Sequence, residues 1–99
     1  MKPGVLDRPE SAVLNEDETE EAKPWQVTIF DDDVHTIDEV IFQVQKATGV
    51  SLEVAFEVTM EVHTQGQSIC YAGILEKCEQ VASILREISL SVEVAPAEA

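Results

Sequence analysis

The stretch FDDDVHTIDEV, residues 30–40, places three consecutive carboxylates, Asp31, Asp32 and Asp33, between an apolar run and a helix-like run. Carboxylates this close repel one another, so the turn either holds a cation or is a solvated loop. Carboxylate oxygens and a neutral imidazole nitrogen, such as that of His63, accept N–H donors. The residues therefore suit a small cation such as an ammonium group, although a solvated turn is the simpler interpretation.

The same residues do not form a metal motif. Counted from Asp31, the positions at which a calcium-binding EF-hand loop needs Gly and Glu hold Thr36 and Phe42. The residues that carry soft ligands have no CxxC or HxxxH spacing of the kind found in zinc sites. They are His35, His63, Cys70 and Cys78. We therefore expect no metal and no cofactor.

Nucleophilic catalysis would need an exposed cysteine beside a base. Cys70 lies in a strand-like alternation and Cys78 on the apolar side of a helix-like run, so both are predicted to be reduced, mostly buried thiols. The chain also has no Gly-rich phosphate loop and no G-x-S-x-G motif. We expect a protein that is not an enzyme.

The elements that position these residues follow from the periodicity of the apolar side chains. Residues 25–30 alternate as a half-buried strand, and residues 37–44 have the i, i+3, i+4, i+7 spacing of a helix. Thr36 and Glu39 have capping-box spacing at the start of this helix, and Gly49 is a plausible stop. Ser51 is predicted to cap a second helix, in which five side chains fall on one stripe, with Val58 and Val62 adjacent to it. That stripe holds Leu52, Ala55, Phe56, Thr59 and His63.

The rest of the chain adds SICYA as a strand, an amphipathic helix from Leu75 to Ile88, and LSVEV as a last strand. The order β-α-α-β-α-β predicts a single small α+β domain over residues 24–95, with a three-stranded antiparallel sheet packed against three helices. Residues 1–23 carry seven acidic and three basic residues and no apolar period. They are predicted to be a disordered acidic extension.

The net charge of the chain restricts the classes of partner that it can bind. The net charge of −14 argues against nucleic acid and against anionic membrane surfaces, and it suits a cationic partner or a basic peptide. No apolar run approaches the roughly 18 residues of a membrane span, and the first residues lack the apolar core of a secretory signal. We expect a cytoplasmic protein that acts as a monomer.

From about Pro24 to Val94 the chain resembles the ClpS family, adaptors of the Clp AAA+ protease. VTIFDDDVHTIDEV is similar to the family's strand and its Asn-Asp-Asp-x-Thr-Pro-Met-Glu-Phe-Val turn. VHTQGQSIC is similar to its Val-His-x-x-Gly block, and LEKCE to its Glu-x-Ala-Glu helix start. The blocks align without a gap between Asp31 and Glu79.

The resemblance implies binding of proteins that begin with a bulky hydrophobic residue (an N-degron) and their delivery to the N-terminal domain of a ClpA or ClpC unfoldase. It places the substrate's α-ammonium on Asp31, Asp32 and His63. It also implies a role for the flexible extension in delivery, and a docking helix that includes Glu76. The hydrophobic pocket would be lined by Ile37, Val40, Ile41, Thr59 and Val62.

Several positions depart from the family pattern. Asp31 replaces an Asn, and His35-Thr36 replaces Thr-Pro, which shifts the helix cap by one residue. Ile37 and Thr59 each replace a Met, and Val81 replaces a basic residue of the docking helix. An alternative is therefore a module that binds the unfoldase but has an altered or lost N-degron pocket. A third hypothesis is a different small binding domain, such as the carboxy-terminal domain of the ribosomal stalk protein.

Overall fold

The computed structural model describes residues 23–97, and the predicted extension lies outside them except for Lys23. The elements follow the predicted order. They are β1 (Trp25–Phe30), α1 (Ile37–Thr48), α2 (Leu52–Gln65), β2 (Gln67–Gly73), α3 (Leu75–Leu85), a 3₁₀ turn (Arg86–Ile88) and β3 (Ser91–Pro96). The third helix ends earlier than predicted, because its last residues tighten into the 3₁₀ turn.

The three strands form one antiparallel sheet in the order β2-β1-β3, with β1 in the centre. Ile29 pairs with Val92 on one side and with Ser68 on the other. The register between β1 and β2 shifts after Val27, so that Cys70 is an extra residue in β2. Such a bulge bends its strand and cannot be foreseen from the alternation of side chains.

The predicted starts of α1 and α2 and the predicted end of α1 are confirmed by their capping residues. The Glu39 N–H donates to Thr36 Oγ1 over 3.1 Å, and the Thr36 N–H donates to Glu39 Oε1 over 2.8 Å. The Val54 N–H donates to Ser51 Oγ over 3.1 Å. Gly49 and Gly66 end α1 and α2 with φ of 77° and 90°, a left-handed conformation that glycine adopts without a steric penalty.

The core lies between the sheet and the helices, and Val27, Ile29, Val44 and Leu85 are fully buried in it. The predicted stripe of α2 is wrong in part, because Leu52 is 62% exposed and Phe56 is 49% exposed. The buried face of α2 consists of smaller side chains than Leu52 and Phe56. They are Ala55, Thr59 and Val62.

Both cysteines are free thiols. Burial raises the pKa of the Cys70 thiol to about 12, and burial also raises the pKa of Cys78. Neither is a thiolate nucleophile at neutral pH. Within residues 23–97, no three His, Cys, Asp or Glu side chains cluster as a metal site. No helix in the same range is both long and apolar enough to cross a membrane.

Candidate functional site

The acidic turn after β1 is held against the end of α2. The Asp31 N–H donates to the carbonyl of Gly66 over 2.9 Å. Because Gly66 is the C-cap of α2, this bond places the turn beside the last helical turn, which carries His63. Two stretches more than thirty residues apart in the sequence therefore meet at one point.

Asp32 organises the turn through its own carboxylate. Its Oδ1 accepts the backbone N–H groups of Val34 and His35, both over 2.9 Å. Its Oδ2 lies 2.8 Å from Nδ1 of His35. The backbone N–H of His35 is the main cause that holds the pKa of Asp32 below its ordinary value. The carboxylate is therefore ionised at neutral pH, and a single lone pair of Oδ2 remains for a ligand.

Both ring nitrogens of His35 face hydrogen-bond acceptors, an arrangement that favours the doubly protonated imidazolium. Its Nε2 is hydrogen-bonded to the carbonyl oxygen of Ile88, which only accepts, and its Nδ1 faces the ionised Asp32, which also only accepts. These two bonds, that to Ile88 first, raise the pKa of His35 above its ordinary value. The His35 side chain thus joins the acidic turn to the 3₁₀ turn before β3.

A cavity of about 380 Å³ opens between the acidic turn, the start of α1 and the second half of α2. Its volume lies within the usual range for a small-molecule or side-chain site, about 300–1,000 Å³. Three carboxylates and two histidines line the cavity together with apolar side chains. The lining residues are Asp31, Asp32, Asp33, His35, Thr36, Ile37, Val40, Thr59, Val62 and His63.

Most of the residues selected from the sequence line this one cavity, but two do not. Ile41 is half-buried on α1 and packs against the core instead. Glu76 lies in the first turn of α3 and lines a separate, shallower concavity of about 540 Å³. That concavity also involves Glu79, Gln80, Ser83 and Ile84.

Sequence reasoning missed the part that His35 plays. Its one local signal is the spacing Asp32-x-x-His35, which lets the two side chains meet across a tight turn. Its other partner, Ile88, is 53 residues away, and no pattern in the sequence connects the two. Asp33 and Thr36 also line the cavity without having been selected.

The arrangement can accept N–H donors at one end and bury an apolar group at the other. The Asp31 carboxylate makes no side-chain hydrogen bond to residues 23–97, and the His63 side chain is exposed at the mouth of the cavity. The fold and the site together define a small α+β domain with a cavity that is lined by both carboxylates and apolar side chains.

Comparison of the sequence with known protein families identifies one family. The family model described as ATP-dependent Clp protease adaptor protein ClpS matches residues 20–93. The ATP-dependent Clp protease adapter protein ClpS of Mycobacterium marinum is 34% identical over 89 residues, which cover 90% of this chain and 84% of that protein. Its counterpart in Rhodococcus opacus is 34% identical over 70 residues, 71% of this chain but only 62% of that protein. The chain belongs to the ClpS family.

Among solved structures, that of Agrobacterium tumefaciens ClpS2 bound to L-phenylalaninamide superimposes with a TM-score of 0.71. The two chains are 17% identical, and the match covers 76% of this chain and 98% of the other. At this identity the likeness shows a shared fold. The predicted fold class and the resemblance drawn from the sequence are both confirmed.

Proposed function

We propose that this protein is an adaptor that binds proteins through a bulky hydrophobic N-terminal residue and delivers them to the ClpA- or ClpC-type unfoldase of the Clp protease. The observation that supports the proposal is that polar and apolar side chains line the same cavity. Asp31, Asp32 and His63 line it together with Ile37 and Val62. An α-ammonium and the side chain on the same residue need this combination of groups within one site.

The α-ammonium has three N–H donors and needs acceptors. The exposed Asp31 carboxylate, the remaining lone pair of Asp32 and a neutral nitrogen of His63 supply them. Hydrogen bonds to charged groups contribute roughly 1.5–3 kcal/mol each, and an N-acetylated chain end loses both the charge and most of the donors.

The first side chain then enters the apolar part of the cavity, between the start of α1 and the face of α2. Burial of one Leu or aromatic side chain contributes roughly 1.5–3 kcal/mol. After the cost of association, micromolar affinity is the expected scale. The bound L-phenylalaninamide of Agrobacterium tumefaciens ClpS2 has the same two parts, a free α-amino group and an apolar side chain.

We infer the partner, a Clp unfoldase, from membership of the ClpS family. We expect the concavity on α3 that includes Glu76 to face the N-terminal domain of the unfoldase, while the acidic cavity stays free for substrate. We expect this adaptor to act as a cytoplasmic monomer without a cofactor and to perform no chemistry on the substrate.

The test is fluorescence anisotropy of a labelled peptide that begins with a free Phe, measured beside its N-acetylated twin. Binding of the free peptide alone, at micromolar affinity, is the expected result. Equal binding of both twins would show that the ammonium is not recognised. Absence of binding by the free peptide, with the domain folded by circular dichroism, would reject the proposal.

One observation favours a second candidate function, that of a module that binds the unfoldase but does not bind the amino termini of substrates. Ile37 and Thr59 line the cavity at positions where the family has the more adaptable Met. In that case no peptide of a panel beginning with Leu, Phe, Tyr or Trp binds, while the purified N-terminal domain of ClpA or ClpC still does.

A further inference from the structure

The hydroxyl of Thr59 has an unusual environment for a helical threonine. Thr48 and Thr64 donate their hydroxyls to the carbonyl four residues earlier, over 2.7 Å to Val44 and 2.9 Å to Met60. Thr59 is 2% exposed, and its Oγ1 finds no hydrogen-bond partner within residues 23–97. A buried hydroxyl without a partner destabilises the fold, so its presence calls for an explanation.

Thr59 is also one of the residues that line the cavity. Threonine divides between two χ1 rotamers in a helix, and rotation about χ1 exchanges a methyl group and a hydroxyl of similar size. The same side chain can therefore present either group to the cavity without a change in the volume that it fills. A ligand with a polar tip would select the hydroxyl.

We propose that Thr59 is a specificity-determining residue that makes this pocket favour a first residue with a hydroxyl at the far end of its side chain, which is tyrosine. The inference rests on the proposed recognition of amino termini and adds the class of substrate. The phenol both donates and accepts, so it pairs with the Thr59 hydroxyl in either direction. Phenylalanine fills the same space and leaves the hydroxyl unpaired.

The spacing along α2 sets the length of the side chain. His63 lies four residues after Thr59, so both are on one face of the helix, about one pitch of 5.4 Å apart. With the ammonium at His63 and Asp31, a group that reaches Thr59 must stand well away from the α-carbon. A serine hydroxyl is too close to its own amino group to do this, whereas the tip of a tyrosine ring is far enough.

The experiment measures the affinities of two peptides that differ only in a first Tyr or Phe, with wild-type protein and with three variants. Thr59→Val removes the hydroxyl and keeps the shape, whereas Thr59→Ser keeps the hydroxyl. Thr64→Val is the matched control, because this exposed threonine is on the same helix, already has its partner and does not line the cavity.

For the wild type we expect Tyr to bind roughly three- to tenfold more tightly than Phe, the range of one net hydrogen bond. The ratio should fall toward one in Thr59→Val and persist in Thr59→Ser and Thr64→Val. Thr59→Val should also raise the melting temperature of the free protein by roughly 4–8 °C, because an unpaired hydroxyl is removed from the interior.

A wild type without preference for Tyr, or a preference that survives Thr59→Val, would overturn this inference and leave amino-terminal recognition intact. A lower melting temperature of Thr59→Val would show that the hydroxyl is satisfied within the fold, which also overturns it. If the wild type binds neither peptide, the proposed function fails, and the inference fails with it.

Discussion

His35 and Asp32 form an ion pair at the wall of the cavity, with Nδ1 of the imidazole 2.8 Å from Oδ2 of the carboxylate. The other ring nitrogen is bonded to the carbonyl of Ile88, so one side chain fixes both the orientation of Asp32 and the distance between two loops. When His35 is protonated, the pair balances the charge of one carboxylate in the acidic turn. Within residues 23–97, the Asp31 and Asp33 carboxylates that line the same cavity have no ion-pair partner.

The ion pair between His35 and Asp32 makes the stability of the fold depend on pH. The pKa of His35 is raised above 6.5, so its contribution is complete below that value and is lost as the pH rises through the raised pKa. The pKa of Asp32 is lowered below 3.8, so its contribution is complete above that value and is lost as the pH falls through the lowered pKa. His35→Gln should therefore lower the melting temperature by several degrees at pH 5.5 and by less at pH 9.

The matched control for this prediction is His63→Gln, since the His63 side chain is exposed and takes part in none of these bonds. Its effect on thermal unfolding should be much smaller at pH 5.5. A melting-temperature difference between wild type and His35→Gln that is constant from pH 5.5 to pH 9 would show that the charge of His35 does not matter to the fold.

Asp31 should matter for binding and not for stability. Asp31→Ala removes a carboxylate that we propose accepts the α-ammonium, and we expect the affinity for a free Phe peptide to fall by about tenfold or more. Its melting temperature should stay the same or rise, because a carboxylate that repels Asp32 is gone. Asp31→Asn should retain most of the affinity, since its amide oxygen still accepts. Anisotropy titrations with the three proteins decide this, and full affinity in Asp31→Ala contradicts the assignment.

Asp32 should matter both for peptide binding and for the stability of the fold. Asp32→Ala leaves the N–H groups of Val34 and His35 without their acceptor and leaves the His35 charge unpaired. We expect a loss of roughly 1–3 kcal/mol in the free energy of unfolding, measured in urea, together with loss of peptide binding. Unchanged urea midpoints for Asp32→Ala and wild type would show that the turn keeps its shape without this carboxylate.

Much of the fold could be predicted because its signals are local. The capping pairs Thr36–Glu39 and Ser51–Val54 each lie within one helical turn, and the alternation of β1 is confined to six residues. The face that α2 buries was harder to predict. Leu52 and Phe56 are more apolar than Ala55 and Thr59, but the smaller pair is buried and the larger pair is exposed.

The candidate site was predictable where the acidic cluster and the family blocks marked it, at Asp31, Asp32 and His63. Contacts between distant segments were not. Gln43 is buried in the middle of α1 because its amide donates to the carbonyl of Ile84 over 2.7 Å, and His35 reaches Ile88. The partner in each case is a backbone oxygen, which every residue type offers, so the sequence carries no mark of it.

Ile37 should limit the range of side chains that the cavity accepts. It is the first residue of α1 and lines the cavity, and a β-branched side chain has few χ1 rotamers. Ile37→Met supplies a flexible side chain that adapts to larger rings. We expect a several-fold gain in affinity for a peptide that begins with Trp. The control Ile74→Met changes an exposed isoleucine outside the cavity, and an equal gain in both variants would exclude a local effect.

The acidic surface of α3 should contribute to unfoldase binding through charge. Glu76 is exposed and lines a concavity with a second carboxylate, Glu79, which suits a basic partner surface. Glu76→Lys reverses one charge there, so calorimetric titration with the N-terminal domain of ClpA or ClpC should show a loss of affinity that shrinks at high salt. Glu57→Lys makes the same change in net charge on α2, away from both concavities, and should retain the affinity. Because Glu76 does not line the cavity that contains Asp31 and His63, Glu76→Lys should bind the free Phe peptide as the wild type does. Equal losses in the two charge variants would mean that net charge, and not this face of α3, attracts the unfoldase.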